Sequence, residues 1–232
     1  VPLITGNHEY LLDIDGIERE FAAGSRFLLL CNPHNPTGRT FSRGELTKLA
    51  AIARRHNAIV ISDEIHAPLT FGTFTPYLDC GEDAEETGVC ITSASKSWNL
   101  AGLKAAFLLT QSETMHRLVQ RAPAAMHWRT SILGAFAMAE AFTSGVEWLD
   151  ATVATLAENH KHLQSELARL LPNVKSHLPE AGYLAWLNIT ELGLTTEEIL
   201  ERAKVAFVPG QDMGGENYKN FARMNVGTSK EL

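Results

Sequence analysis

The feature that most constrains the fold of this chain is a series of three apolar runs, each followed directly by a polar cluster. The runs cover residues 27–30, 59–61 and 89–92. They are continuously apolar rather than alternating, which is typical of parallel strands covered by helices on both faces. A helical pattern between the first two runs begins with Ser42 and Glu45 at capping-box spacing and supplies a crossover between parallel strands. The sequence therefore predicts the α/β class, with a mostly parallel sheet and helices on both faces.

The second half of the chain has a different pattern. A long amphipathic helix is predicted from residue 145 to about residue 171, where Pro172 follows. Short strands and a helix opened by Thr195 or Thr196 come after it, which indicates a smaller α+β domain. We therefore predict part of a large domain at residues 1–143, a bridging helix at 144–172 and an incomplete small domain at 173–232.

Three local features carry predictions of their own. The acidic stretch 81–88 is predicted to be a surface loop, and residues 205–208 are predicted to form a strand. Tyr183 and Trp186 are predicted to belong to the core of the small domain rather than to contact substrate. Glu64 is given no catalytic role, because adjacent residues of a strand point to opposite faces.

Composition argues against several classes of function. The formal net charge of −7 over 232 residues disfavours nucleic acid as a partner. No apolar stretch approaches the length of a membrane span, and no basic-then-apolar signal opens the chain. The three cysteines, Cys31, Cys80 and Cys90, are predicted to be buried thiols in a reducing cytoplasm. The histidines lack metal-ligand spacing, so no metal site is predicted. Since the chain begins at Val1, we expect a piece of a longer polypeptide.

The polar clusters after the apolar runs contain residue types that suit a covalently bound cofactor. Asn35, Asp63 and Lys96 follow the first, second and third runs. Ligands of open α/β sheets bind at the carboxyl ends of the strands, so these three side chains should share one site. A lysine amine can form a Schiff base with an aldehyde, and a carboxylate can pair with a protonated pyridine nitrogen. This combination indicates pyridoxal phosphate.

Further residues are candidates for holding the cofactor and an amino-acid substrate. Asn35 or His66 could hydrogen-bond the ring oxygen of the cofactor, although His66 could equally be a buried structural histidine. Ser93 and Lys104 can offer a hydroxyl and a positive charge to a phosphate. Arg223, on a late strand, could hold a substrate α-carboxylate through two parallel hydrogen bonds.

These motifs resemble those of the fold-type I pyridoxal-phosphate enzymes of aminotransferase class I/II. The resemblance covers essentially the whole chain. It is carried by Asn-Pro-His-Asn-Pro-Thr-Gly at 32–38, Ser-Asp-Glu-Ile-His at 62–66, Ser-Ala-Ser-Lys-Ser-Trp-Asn-Leu-Ala-Gly-Leu at 93–103 and Ala-Arg-Met-Asn at 222–225. The chain is most similar to the MalY/PatB-type cystathionine β-lyases, because His66 stands where ordinary aminotransferases usually have tyrosine.

The resemblance implies a role for each motif residue. Lys96 is implied to bind the cofactor covalently and to act as the catalytic base, and Asp63 to pair with the pyridine nitrogen. Asn35 is implied to contact the ring oxygen near the substrate. Ser93 is implied to contact the phosphate, and Arg223 the substrate carboxylate. Lys104 falls where the family often has arginine, which makes its phosphate contact a weaker inference.

The resemblance also implies an activity and a partner. The expected reaction is cleavage of cystathionine or a related cysteine conjugate to a thiol, pyruvate and ammonia. An aminotransferase is the alternative, as is an inactive or regulatory fragment. A homodimer is implied. The family's N-terminal part, which supplies a Gly/Ser-rich phosphate turn and an aromatic residue on the cofactor ring, is expected to precede this chain.

Overall fold

The computed structural model describes residues 1–6 and 9–230. Its larger sheet contains β3 (Phe27–Cys31), β4 (Ile59–Asp63), β5 (Gly88–Thr92) and β6 (Phe107–Leu109), in that spatial order. The first three strands are parallel and β6 is antiparallel to β5. The register places Cys31 beside Asp63 and Asp63 beside Ile91, so the three parallel strands end at one level. The predicted mostly parallel sheet is confirmed.

Helices cover one face of this sheet through a continuous core. Before β3 come the antiparallel strands β1 (Ile4–Gly6) and β2 (Glu9–Leu11) and the helix α1 (Ile14–Ala22), none of which the sequence pattern predicted. The helix α2 (Arg43–Arg55) begins with the expected capping box of Ser42 and Glu45. Its face at Leu46, Leu49 and Ala53 is fully buried against the sheet, with α1 packed alongside. On the edge strand β3, the apolar side chains of Phe27 and Leu29 remain exposed.

The acidic stretch at 81–88 is helical, so the predicted surface loop is wrong. The helix α3 (Glu82–Thr87) carries three acidic residues in its first turn, where the partial positive charge of a helix N-terminus stabilises them. Ala84 and Thr87 are buried, and α3 lies against α2. The sequence pattern was misleading because acidic residues that suit the start of a helix also suit a solvated loop.

Four helices lead from the larger sheet to the smaller one. They are α4 (Glu113–Gln120), α5 (Ala124–Trp128), α6 (Ile132–Ser144) and α7 (Val146–Leu170). The long helix predicted from residue 145 corresponds to α7, whose Leu163 and Leu167 pack on the core of the smaller sheet. Among the described residues, no helix combines the length and apolarity that a membrane crossing requires.

The smaller part of the chain consists of β7 (Lys175–Ser176), β8 (Leu184–Asn188), α8 (Thr196–Ala203), β9 (Val208–Pro209), α9 (Gln211–Gly214) and β10 (Phe221–Asn225). Its sheet is antiparallel and has the spatial order β7-β8-β10-β9. Thr195 caps α8 through a second capping box. The strand predicted at 205–208 is displaced, because pairing with β10 begins only at Val208. The α/β class with a smaller α+β part is confirmed, whereas the domain limits at residues 143 and 172 stay predictions.

Candidate active site

The candidate site lies at the carboxyl ends of β3, β4 and β5. Because these strands end in register, the loops that follow them emerge at one edge of the sheet. These loops carry Asn35, His66 and Lys96. The position agrees with the general location of ligand sites in open α/β sheets.

Asp63 is the last residue of β4 and is half-buried. Its Oδ1 accepts a hydrogen bond from the Ile65 N–H at 3.2 Å, and its backbone carbonyl accepts one from the Asn32 N–H at 3.0 Å. No described residue donates a hydrogen bond to Oδ2. The carboxylate is thus oriented through one oxygen and has the other available for a ligand.

Glu64 lies on the opposite side of the strand end from Asp63. It is 5% exposed and accepts hydrogen bonds from the Ser62 hydroxyl at 2.8 Å and the Tyr77 N–H at 2.9 Å. Burial raises the pKa of this carboxyl, while the bonds from Tyr77 and Ser62 act to lower it. Glu64 therefore anchors the chain around residue 77.

The pKa of His66 is affected by three charged side chains of the site. Its side chain is buried, and its pKa is lowered to about 4, chiefly by burial. The charges of Lys96 and Arg223 lower this pKa further, and that of Asp63 acts to raise it. All three charged groups therefore lie within electrostatic reach of one imidazole, which is neutral at pH 7.

Lys96 lies in a compact loop after β5. The Trp98 N–H donates to the Ala94 carbonyl, and the Trp98 indole N–H donates to the Gly145 carbonyl at 2.8 Å, which ties the loop to the start of α7. Lys96 itself is exposed, and its amine makes no hydrogen bond or ion pair with any residue in the described part of the chain. It lines a cavity of about 510 Å³ together with Asn99, Trp148 and Tyr183.

Arg223 reaches the site from the smaller sheet. It lies on β10 opposite Trp186, and its Nη1 donates to the Asn35 side-chain oxygen at 3.1 Å. The same nitrogen lies 3.5 Å from the Met213 sulfur. The contact joins residues 188 positions apart, so the structure brings together two candidates that the sequence placed in different domains.

The two candidate phosphate ligands are placed differently from the other residues. Ser93 is buried, its hydroxyl donates to the Ala105 carbonyl at 2.6 Å, and its oxygen accepts from the Ser95 N–H at 3.0 Å. The single hydroxyl hydrogen is therefore already used, and a phosphate contact would require the hydroxyl to rotate. Lys104 is exposed in a left-handed backbone conformation with φ 54°. Both phosphate contacts stay predictions.

Sequence reasoning missed the contribution of Tyr183. Trp186 is buried as expected, but Tyr183 is only half-buried, lines the cavity beside Lys96 and has its ring centroid 5.7 Å from that of His66. Next to it, the Gly182 carbonyl bonds the ring of His160 at 3.0 Å, and His160 is a fully buried residue of α7. The signal available in the sequence was Gly182, a turn-forming residue that places Tyr183 just before the strand β8.

Comparison with known proteins relates this arrangement to a class of enzymes. The chain is 36% identical over 242 residues to cystathionine beta-lyase of Corynebacterium glutamicum, and 33% identical over 240 residues to cystathionine beta-lyase PatB of Bacillus subtilis. These alignments cover 100% and 98% of this chain but 64% and 61% of the relatives. The chain therefore spans somewhat less than two thirds of the length of these relatives.

The fold is that of solved pyridoxal-phosphate enzymes. A putative PLP-dependent beta-cystathionase from Corynebacterium diphtheriae superposes with a TM-score of 0.91 at 34% identity, over 95% of this chain and 59% of that one. The PLP-bound C–S lyase from Staphylococcus hominis superposes with a TM-score of 0.88 at 26% identity, over 99% and 60%. The family model described as aminotransferase class I and II matches residues 3–232. This chain belongs to the aminotransferase class I and II family.

Proposed function

We propose that this chain is the greater part of a pyridoxal-phosphate-dependent C–S β-lyase that cleaves cystathionine or related cysteine conjugates. The observation that carries the proposal is geometric: the strands before Asn35 and Lys96 end in register with Asp63, and Arg223 reaches Asn35 from the smaller sheet at 3.1 Å. The similarity to two cystathionine beta-lyases at 33–36% identity supports the reaction type. With one water consumed, the products would be a thiol, pyruvate and ammonia.

The residues present fit pyridoxal phosphate by the chemistry of their polar groups. Lys96 offers an amine with no protein partner in the described part of the chain, as a covalent link to an aldehyde requires. Asp63 has one carboxylate oxygen available for a pyridine nitrogen. His66 and Asn35 are the candidates for the ring oxygen, and Ser93 and Lys104 the candidates for the phosphate.

Each of these residues has a distinct task in the proposed reaction. Pyridoxal phosphate, when bound, supplies an electron sink for the electron pair left at the substrate α-carbon. The Lys96 amine removes the α-proton, which it can do only in its uncharged form. The Asp63 carboxylate, through Oδ2, would accept the hydrogen bond of a protonated pyridine nitrogen. The Arg223 guanidinium holds the α-carboxylate, so the bond to the β-sulfur is oriented for cleavage.

An aminotransferase is the second candidate function. A probable N-succinyldiaminopimelate aminotransferase of Mycobacterium tuberculosis is 33% identical over 177 residues, and proton removal by Lys96 would serve both reactions. The decisive experiment is a product assay with cystathionine, with and without a 2-oxo acid. Pyruvate and ammonia without the oxo acid support the lyase, whereas product formed only with the oxo acid supports the aminotransferase. Failure of the protein to bind the cofactor in a titration would support an inactive or regulatory fragment.

We also propose that the protein functions as a homodimer in the cytoplasm. Apolar side chains of α5 and α6 are strongly exposed, with Trp128 at 85%, Ile132 at 71% and Phe136 at 70%. Such a patch is typical of a protein–protein interface. Three unpaired thiols, at Cys31, Cys80 and Cys90, support a reducing compartment. Light scattering on the purified protein tests the dimer, and a monomeric mass would contradict it.

A further inference from the structure

The segment 177–183, which we call the strap, lies across the two loops that carry Asn35 and His66. On the first loop, the His177 ring nitrogen Nε2 lies 2.6 Å from the Thr37 carbonyl oxygen. On the second loop, the Phe71 N–H donates to the Glu180 carbonyl at 2.9 Å, and the Gly182 N–H donates to the Leu69 carbonyl at 3.0 Å. Two backbone hydrogen bonds thus join the strap to the loop that follows β4 of the larger sheet.

The Glu180 carboxylate fixes the strap to the loop after β3. Its Oε2 accepts hydrogen bonds from the Thr40 N–H at 2.6 Å, the Thr40 hydroxyl at 2.7 Å and the Arg39 Nη1 at 2.9 Å. Although burial acts to raise the pKa of Glu180, the bonds from Thr40 and Arg39 outweigh it and leave this pKa lowered. Arg39 is held in turn by Glu45, the residue of the capping box.

The contact between strap and loop is also sterically close. The Glu180 N–H donates to the Gly38 carbonyl at 2.9 Å. A Cβ atom at Gly38 would lie 2.4 Å from the Pro179 Cβ and 2.7 Å from the Ala181 carbonyl oxygen, and φ at this position is +68°. Only glycine therefore allows the strap to approach this loop so closely.

The strap is bonded on one side to the strand that carries Arg223 and on the other side to the loop that carries Asn35. At the C-terminal end of the strap, the Tyr183 carbonyl accepts from the Val226 N–H at 2.8 Å, and the following strand β8 pairs with β10 along its length, including Arg223. On the other side, Asn35 belongs to the same loop as Gly38 and Thr40. The position of the strap therefore sets how β10 lies relative to Asn35.

We propose that Glu180 is a positioning residue that keeps Arg223 within reach of Asn35 and so determines the affinity for the α-carboxylate of the substrate. The inference rests on the proposed function, since it concerns the same site. A surface ion pair alone contributes little. Glu180 differs from such a pair because a backbone N–H and a hydroxyl also bond its carboxylate, which favours one geometry.

The test compares Glu180→Ala and Glu180→Gln with the control Glu166→Ala. Glu166 pairs with Arg169 on the exposed side of α7, so its loss removes a similar ion pair away from the strap. Steady-state kinetics with a cysteine conjugate would give KM and kcat. Hydrogen exchange at the Phe71 and Gly182 amides would report strap docking without turnover, because both amides bond across the contact.

We expect Glu180→Ala to raise KM about tenfold with kcat within about twofold, as for lost ground-state binding that leaves the chemical step intact. Glu180→Gln should give a smaller rise, since its amide oxygen can still accept the Thr40 N–H. Exchange at both amides should quicken most in Glu180→Ala, less in Glu180→Gln and not in Glu166→Ala. Kinetics and exchange equal to those of Glu166→Ala would overturn the inference. Absence of pyruvate formation by the unaltered protein would instead refute the proposed function, and the exchange measurement would still decide whether Glu180 holds the strap.

Discussion

Replacing Asp63 separates the structural role of its carboxylate from the proposed chemical one. Oδ1 accepts the Ile65 N–H, whereas Oδ2 has no donor among the described residues. Asp63→Asn keeps an oxygen at the Oδ1 position and puts an NH₂ group, which cannot accept a proton, in place of Oδ2. Asp63→Ala removes both oxygens. The two variants should therefore agree in activity loss but differ in stability.

The magnitudes follow from the bonds concerned. Asp63→Ala should lower the free energy of unfolding by about 1 kcal/mol, the value of one intramolecular hydrogen bond. For a chain of this size that is about 2–4 °C in Tm. Both variants also lose a charge-assisted hydrogen bond to the cofactor, which should reduce transition-state stabilisation by about 1.5–3 kcal/mol. This corresponds to a decrease of about 10- to 150-fold in kcat/KM.

The assay is pyruvate formation from a cysteine conjugate, combined with thermal unfolding of each variant. Asp15→Asn, at an exposed position in α1, is the matched control and should leave kcat/KM unchanged. Near-normal kcat/KM in Asp63→Asn would refute the reasoning. An equal loss of Tm in Asp63→Asn and Asp63→Ala would show that Oδ1 does not support Ile65.

Three further predictions test other parts of the site. Lys96→Ala should abolish pyruvate formation and the imine absorbance of the cofactor-loaded protein, and an unchanged spectrum would rule out the covalent link. Arg223→Lys keeps the positive charge but loses the planar fork, so KM should rise about tenfold with little change in kcat; a wild-type KM would mean that the substrate carboxylate binds elsewhere. Because the pKa of His66 is lowered from 6.5 to about 4, the unfolded chain takes up its proton first as pH falls. The stability contributed by neutral His66 should thus be present above pH 6.5 and decline towards pH 4. Urea unfolding over this range should show a flatter pH dependence for His66→Asn, and an unaltered slope would contradict the assignment.

The sequence predicted the parallel strands of the larger sheet well for a physical reason. Parallel strands covered by helices are continuously apolar, so the runs ending near Cys31, Asp63 and Thr92 were unambiguous. The capping boxes at Ser42 and Thr195 were equally direct, because side chain and backbone interact within one turn. These features depend on neighbours in sequence.

The features that escaped prediction depend on neighbours in space. The bond between Arg223 and Asn35 joins two sheets whose relative placement has no local signal. Tyr183 was assigned to the core because aromatic residues in strands are usually buried, yet it lines the cavity beside Lys96. The acidic helix α3 was taken for a loop, since the burial of Ala84 against α2 decides its structure.

The distance in sequence between Asn35 and Arg223 has a consequence for biosynthesis. Domains fold from the N-terminus as the ribosome releases them, and the larger sheet can form early in that process. Arg223, the residue proposed to bind the substrate carboxylate, lies on the last strand described, so it can take its place in the site only when translation has passed residue 226. A nascent chain arrested earlier would contain Lys96 and Asp63 but not Arg223, the residue proposed to bind the carboxylate of the amino acid.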